Sequence, residues 1–508
     1  MKKILFLSSA IIITFLACNK DIEIENIESY KYADVDANGG SWKPILVAKP
    51  EDITVNTPVD ASSNEYKSLV SNMLSFSSTA KAAQIDSIKI FGGNAIVKWN
   101  EIARALAAKY NLPPAANADG TYPVPSSTNP GVYPLFPFAN PPYASRAFAY
   151  WSAAQFDGMI VTWYYKYKFN RPSVFVNDKS ITPSLPKQDL PGGISEDAVI
   201  ATISKELLTF LFPLEASYLD GLATTHKNSR MWAKMNTQDE IDAGTTIGKQ
   251  IAEKYIARAK TDGMGKSAVS QAVADSIANA AFTKFGWKWK SQESPARPAL
   301  LPNFGKVKMW CIPDVTVVRP AAPPAPTSDE FKADLEEMRR NSKSLSNENR
   351  KIANFWADGP STSTPPGHWN QIAAEQIITN KMNPIRSARV FAYMNMSIED
   401  AGITCWDAKY YYFTPRPSQV DPTIKTWIGL PNFPGYLSGH STFSSAGATV
   451  LSYFFPNETS KFEQYALDAS NSRIFSCIHF RHDCKVGLEV GKKVANYALD
   501  FAKVDGAK

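Results

Sequence analysis

Residues 436–455 read YLSGHSTFSSAGATVLSYFF. A serine, a glycine and one of the chain's five histidines stand side by side, just before a run of small and apolar helix formers. Ser438 has three readings: a nucleophile, the cap of the helix that follows, or one wall of an anion cradle. That helix would offer unpaired N–H groups and a positive dipole end to an anion. Gly439 would let the backbone come close to it.

Outward from this stretch the helix signals dominate. In WNEIARALAAKYNLPP (residues 99–114) the apolar positions Trp99, Ile102, Leu106 and Tyr110 share a face, and a proline pair stops the helix. SEDAVIATISKELLTFLFP (residues 195–213) has Ser195 as a cap, acids in the first turn and a proline stop. TSDEFKADLEEMRR (residues 327–340) opens with a Thr327–Glu330 capping box and carries the stripe Phe331, Leu335, Met338. Strand-like alternation is confined to CIPDVTVV (residues 311–318). The expected class is all-α. No internal repeat is apparent. The proline-rich RPAAPPAPTSDE (residues 319–330) reads as a rigid loop rather than a domain linker, because the helices on either side are too hydrophobic to stand alone.

The N-terminus reads as an export signal. A basic MKK precedes the apolar run Ile4–Ala17, and Cys18 follows. This resembles a lipoprotein signal, with the lipid on Cys18 and the body anchored to the outer membrane, on its periplasmic face or at the cell surface. The expected division is a signal over 1–17, a tether and irregular lead-in over 18–80, and one helical domain over 81–508. Within that domain an N-terminal half covers 81–320 and a C-terminal half 327–508. Val199–Leu214 carries Lys205 and Glu206 and runs into a proline, so it reads as a core helix rather than a membrane span. A net charge of +6 over 508 residues, with no dense Lys/Arg block, argues against a nucleic-acid partner. Beyond Cys18 the cysteines are Cys311, Cys405, Cys477 and Cys484, whose three possible pairings the sequence leaves open.

Unusual polar groups gather in the last hundred residues. WDAKYYYFTPRP (residues 406–417) holds Lys409 and Arg416, LSGH holds Ser438, Gly439 and His440, and SRIFSCIHFRHD (residues 472–483) holds Arg473, His479, His482 and Asp483. Singly, each has a structural reading: solvated charges, a helix cap, a core histidine bonded to Asp483. Together they suit one tetrahedral oxyanion. Three cations neutralise its oxygens, arginine in bidentate contacts and lysine as a point charge. One histidine can bond to the central atom while the other transfers protons.

The order Lys-x6-Arg-Pro, Ser-Gly-His, Ser-Arg-x5-His resembles the vanadium-dependent haloperoxidases, which share their site with the type 2 phosphatidic acid phosphatase superfamily. FWADGPSTSTPPGHWNQIA (residues 355–373) and EDAGITCWDAKYYY (residues 399–412) look like bacterial members of the haloperoxidase branch. The resemblance implies two packed four-helix-bundle-like halves with the oxyanion site in the C-terminal one. It implies vanadate as cofactor and His479 as its axial ligand, the point at which vanadium would be held. His440 becomes the acid–base residue. Lys409, Arg416, Arg473, Ser438 and Gly439 become the equatorial contacts, and Trp406 and Phe433 the halide side. Asp483 would fix the His479 tautomer.

The implied activity is oxidation of a halide, bromide or iodide, by hydrogen peroxide to hypohalous acid. On the same cradle, a metal-free acid phosphatase would cleave a small phosphate ester, with His479 attacking phosphorus to give a phosphohistidine. A third class, a non-catalytic glycan-binding lipoprotein, has no need of the clustered His, Lys and Arg. Three departures from the family pattern stand out: Leu437 in place of a proline, Thr414–Pro415 before Arg416, and Cys477 in place of a glycine. A thiol beside a source of oxidant is exposed to oxidation, so Cys477 is expected to be buried or bridged to Cys484. His226 reads as a structural loop residue, and His368 as a residue that caps or packs a turn. His482 faces either solvent or substrate.

Overall fold

The computed structural model describes residues 27–507, so the signal and Cys18 lie outside the described residues. Helices α1 (Asn64–Ser78), α2 (Ala82–Gly92), α3 (Ala95–Tyr110), α4 (Pro141–Phe169), α5 (Val174–Asn177), α6 (Glu196–Leu211), α7 (Ala216–Trp232) and α8 (Gln238–Thr261) build the N-terminal half. After α9 (Gln271–Phe285) come α10 (Asp329–Lys343), α11 (Asn347–Phe355), α12 (Thr364–Thr379), α13 (Pro384–Tyr412), α14 (Pro417–Val420), α15 (Gly439–Phe454), α16 (Thr459–Phe475) and α17 (Arg481–Ala502). Among the described residues there is no strand. Val315–Val317, inside the candidate strand, forms a 3-10 turn. No described helix is long and apolar enough to cross a membrane.

The two halves are copies of one another, which the sequence did not reveal. From α4 onward each residue of the second half lies 243 positions after its counterpart, as with Arg146 and Arg389 or Ser195 and Ser438. Asn140 and Asn383 cap the two 29-residue helices α4 and α13, each followed by proline in the first turn. This is the asymmetry that favours a helix start. Arg146 Nε donates to Asp262 at 2.6 Å, and Arg389 Nε to Asp505 at 2.7 Å. Asp157 accepts the backbone N–H groups of Ile45, Leu46 and Val47, and Asp400 those of Trp310 and Cys311. In each half one long helix packs with two others (α4 with α6 and α8, α13 with α15 and α17), α7 packs on α6 and α16 on α15, and α4 lies against α13 to join the halves. Asn100 Nδ2 of α3 donates to Asn370 Oδ1 of α12 at 2.7 Å, a second tie between them.

The stretch read as an irregular lead-in is more ordered than expected. It contains α1, and Trp42, Val47 and Ile53 are buried in the main core. His226 sits within α7, not in a loop. It is fully buried, accepts from Trp99 Nε1 at 3.1 Å and pairs with Asp197 at 2.9 Å.

The Arg389–Asp505 pair is 5% and 1% exposed, so breaking it leaves a buried charge. Arg389→Ala is expected to cost about 3–5 kcal/mol in denaturant unfolding, and a loss below about 1 kcal/mol would show that the pair is not structural.

Candidate active site

Four pieces of the C-terminal half meet at the start of α15. Ser438 caps that helix, its Oγ accepting from Ser441 N at 3.3 Å, so the serine is occupied as a cap rather than poised as a nucleophile. Lys409 comes from the last turn of α13, and its Nζ donates to the carbonyls of Pro434 (2.9 Å), Gly435 (2.7 Å) and Leu437. Arg416, just before α14, donates through Nη1 to Ile478 O and to His479 Nε2, both at 2.8 Å. Arg473, from the last turn of α16, donates to the Trp356 carbonyl. His440 also hydrogen-bonds to the Trp356 backbone, while its Nε2 is buried with no hydrogen-bond partner.

The charge balance here is unusual. Lys409, Arg416 and Arg473 are all nearly fully buried. Among the described residues none of them has a carboxylate within ion-pair distance, although most other buried basic residues do. Burial pushes Lys409 down to about 7, with Arg416 adding to the fall, and holds Arg416 and Arg473 at about 10. Burial and the neighbouring cations likewise hold His440 and His479 well below the ordinary histidine range. A methyl group added at Gly439 would meet Phe443 at 3.8 Å and Trp406 at 3.9 Å, so this position has room for no more than a small side chain. An oxyanion would supply the missing negative charge, and the donor set of amide, ammonium, guanidinium and imidazole suits one such as vanadate or phosphate.

His479 and His440 differ as the proposed roles require. The His479 side chain is 3% exposed, and its Nδ1 donates to Asp483 Oδ2 at 2.9 Å, which leaves Nε2 with the lone pair. His440 keeps 16% exposure, so a small molecule can reach its ring. Phe433 lies beneath Lys409 and Arg416 at 5.0 and 5.2 Å, with Trp406 behind it at 4.9 Å between ring centres. The structure thus brings close together the residues that the sequence analysis placed around the oxyanion.

It also adds Trp356 and Asp358, which the sequence reading passed over, and moves His368 into the site. Asp358 lies 3.7 Å from His440 Nε2 and 3.1 Å from His368 Nδ1, and the His368 ring stacks on Trp356 at 4.3 Å. His368 therefore belongs to the rim of the site and does not simply pack a turn. The residues Trp356, Asp358 and His368 all fall in the family-like stretch 355–373, but no periodicity marked them out. His482 faces neither solvent nor substrate. Its Nδ1 pairs with Asp334 at 2.7 Å and its Nε2 with Asp483 at 3.2 Å. Although burial opposes it, these two carboxylates raise His482 to about 9. His482 and His479 together hold Asp483 far below the usual carboxylate range against its own burial. Asp483 is thus locked as the anion that orients His479.

The four cysteines are free and buried, so neither Cys477 nor Cys484 is bridged. Burial raises the Cys477 and Cys484 thiols to about 12, which removes the reactive thiolate. The Tyr436–Leu437 peptide before Ser438 is cis.

Comparison with known proteins agrees with this geometry. A family model described as the PAP2 superfamily matches residues 390–503, from within α13 to the end of α17. This segment carries the PAP2 superfamily pattern. A vanadium chloroperoxidase of Curvularia inaequalis is 31% identical over 126 residues, a match spanning 18% of this chain and 20% of that protein. The chain thus spans about a fifth of this curated relative. A crystal structure of a bacterial vanadium-dependent iodoperoxidase superposes with a TM-score of 0.57 at 22% identity, covering 71% of this chain and 91% of that one. A bacterial vanadium-dependent chloroperoxidase in its apo form gives 0.52 at 13% identity, covering 74% and 95%. At these identities the structural likeness establishes the fold. The PAP2 segment contains Lys409, Arg416, Ser438, His440, Arg473 and His479, whereas Asp358 and His368 lie before it.

The depressed Lys409 makes anion binding pH-dependent. A bound anion favours the charged ammonium, so affinity is constant below pH 7 and falls as the free protein loses that proton above it. Sulfate, whose charge does not change over this range, should bind about tenfold more weakly per pH unit above 7. The curve should be flat in Lys409→Arg, where the charge persists. A flat wild-type curve would mean that Lys409 does not face the anion.

Proposed function

We propose that the protein is an exported, lipid-anchored vanadate-dependent haloperoxidase that oxidises a halide, bromide or iodide, with hydrogen peroxide. The observation that carries this reading is the convergence of three buried, carboxylate-free cations on His479 and His440 at the start of α15. The fold shared with bacterial vanadium peroxidases and the PAP2 segment support it. The anchor at Cys18 rests on the signal-like N-terminus alone.

His479 would hold the vanadate through Nε2, the atom left unprotonated by the Asp483 bond. Lys409, Arg416, Arg473, Ser438 and the Gly439 amide would hold its oxygens. Bound vanadate supplies a Lewis acid that activates peroxide without changing its own oxidation state. The chain's own contribution is then proton handling and exclusion of water. His440 is held neutral by burial and by the cations around it, so its Nε2 is free to take a proton from peroxide near neutral pH. Asp358, 3.7 Å away, is placed to stabilise the imidazolium that results. Trp406 and Phe433 form an apolar wall beside Lys409 where a weakly hydrated halide would approach.

A phosphatase on the same cradle needs His440 protonated, to give a proton to the leaving alcohol.

Full-length protein titrated with orthovanadate, assayed in parallel for bromination with peroxide and for aryl phosphate hydrolysis, separates the two. Vanadate should switch on bromination; hydrolysis that vanadate merely inhibits would mark a phosphatase instead. His479→Ala should lose vanadate binding and turnover together. His440→Ala should keep appreciable vanadate affinity while turnover falls about 10²–10⁴-fold. Loss of binding in His440→Ala would make this residue a ligand rather than a base.

A further inference from the structure

The internal duplication places a second set of groups in the N-terminal half, at the positions of the cradle. Lys166 stands where the other half has Lys409, and its Nζ donates to Pro191 O at 2.7 Å, as Lys409 Nζ does to Pro434 O. Arg230 stands for Arg473. Its Nε donates to Ser229 at 3.0 Å, and Arg473 Nε donates to Ser472 at 2.9 Å. Ser195 caps α6 as Ser438 caps α15. Asn236 replaces His479, and its Nδ2 donates to Glu240 at 2.9 Å, the counterpart of the His479–Asp483 bond.

Two substitutions decide what this second site holds. Glu196 stands at the position of Gly439, and its Oε2 pairs with Lys166 Nζ at 2.9 Å. Asp197 stands at the position of His440, 3.5 Å from Arg230 and 2.9 Å from His226. Arg230, His226 and Lys166 hold Asp197 below the usual range although its burial opposes this. Tyr32, from the N-terminal segment, lies beside both carboxylates, and burial and their charges push its phenol well up. Ser173, the counterpart of Arg416, is buried with no partner for its hydroxyl. The cations of this half thus meet carboxylates of the chain, where those of the C-terminal half meet none.

We propose that the N-terminal half contains a second oxyanion cradle, occupied by the chain's own Glu196 carboxylate in place of a tetrahedral anion. The Glu196 carboxylate occupies the Lys166 ammonium at the start of α6, the place where the Gly439 amide leaves room in the other half. A glycine at 196 frees that ammonium and the helix end together, and a buried cation without a partner is costly enough to recruit a small anion. The inference rests on reading the C-terminal cradle as an oxyanion site, because that cradle is its template.

The test is the number of inorganic phosphate ions bound per chain, measured by calorimetric titration of the full-length protein. Wild type should bind one and Glu196→Gly two, with phosphate raising the melting temperature of the variant more than that of wild type. Glu196→Gln, whose amide still fills the space, should stay at one. The same number of phosphates in wild type and in a folded Glu196→Gly would overturn the second cradle. None in wild type but one in Glu196→Gly would support the second cradle and overturn the C-terminal reading instead. Should Glu196→Gly fold only in phosphate, that dependence itself supports the proposal, whereas failure to fold with and without phosphate, together with one ion in Glu196→Ala, overturns it.

Discussion

The structure depends on burying three cations without a carboxylate to match them. Removing an ion from water costs on the order of several kcal/mol even after relaxation. The chain meets that cost for Lys409, Arg416 and Arg473 with backbone carbonyls at the ends of helices and in the Phe433–Leu437 loop. Carbonyl dipoles solvate a cation without neutralising it. Burial, with the field of the uncompensated charges adding to it, keeps His440 and His479 unprotonated and lowers the lysine itself. The attraction for an oxyanion and the neutrality of the proton-transfer residue therefore both follow from placing these groups out of water.

The scaffold around this charge is rigid. Asp483 is held as an anion by His482, itself paired with Asp334, and accepts a hydrogen bond from His479 Nδ1, so the imidazole that would hold the anion is oriented by a buried carboxylate that is itself fixed. The bulk of the C-terminal half serves to bring α13, α15 and α16 to one point, and the N-terminal half packs along α13 and stiffens it. Duplication explains how so large a chain settles on this arrangement, since one packing solution is used twice, with Arg146 and Arg389 making the same bonds in each copy.

Much of the cradle was legible in the sequence because its residues sit in short windows with fixed spacing. Lys409 and Arg416 flank one helix end, Ser438 to His440 open another, and Arg473 and His479 bracket a turn. The all-helical class was legible from the cap at Ser195, from the capping signal before α10, read at Thr327 although Ser328 is the cap, and from the apolar stripes. What escaped was information held across distance. Asp358 and His368 reach His440 only through the fold, and their sequence context carries no titratable cluster. His482 was left between solvent and substrate because its partner, Asp334, lies 148 positions away. The repeat was hidden because its matches, such as NSR at 228–230 and 471–473, are scattered at a spacing that no local pattern reveals, while Glu196, Asp197 and Asn236 differ at the most conspicuous positions.

The central claim is that an oxyanion belongs on His479, amid the three buried cations. A crystal structure of the protein soaked in orthovanadate, with vanadium located by its anomalous scattering, tests it most directly. One vanadium site per chain is expected, bonded to His479 Nε2 and surrounded by Lys409, Arg416, Ser438, Gly439 and Arg473. Vanadium elsewhere, or a cradle still closed by its own carbonyls at saturating vanadate, would contradict it.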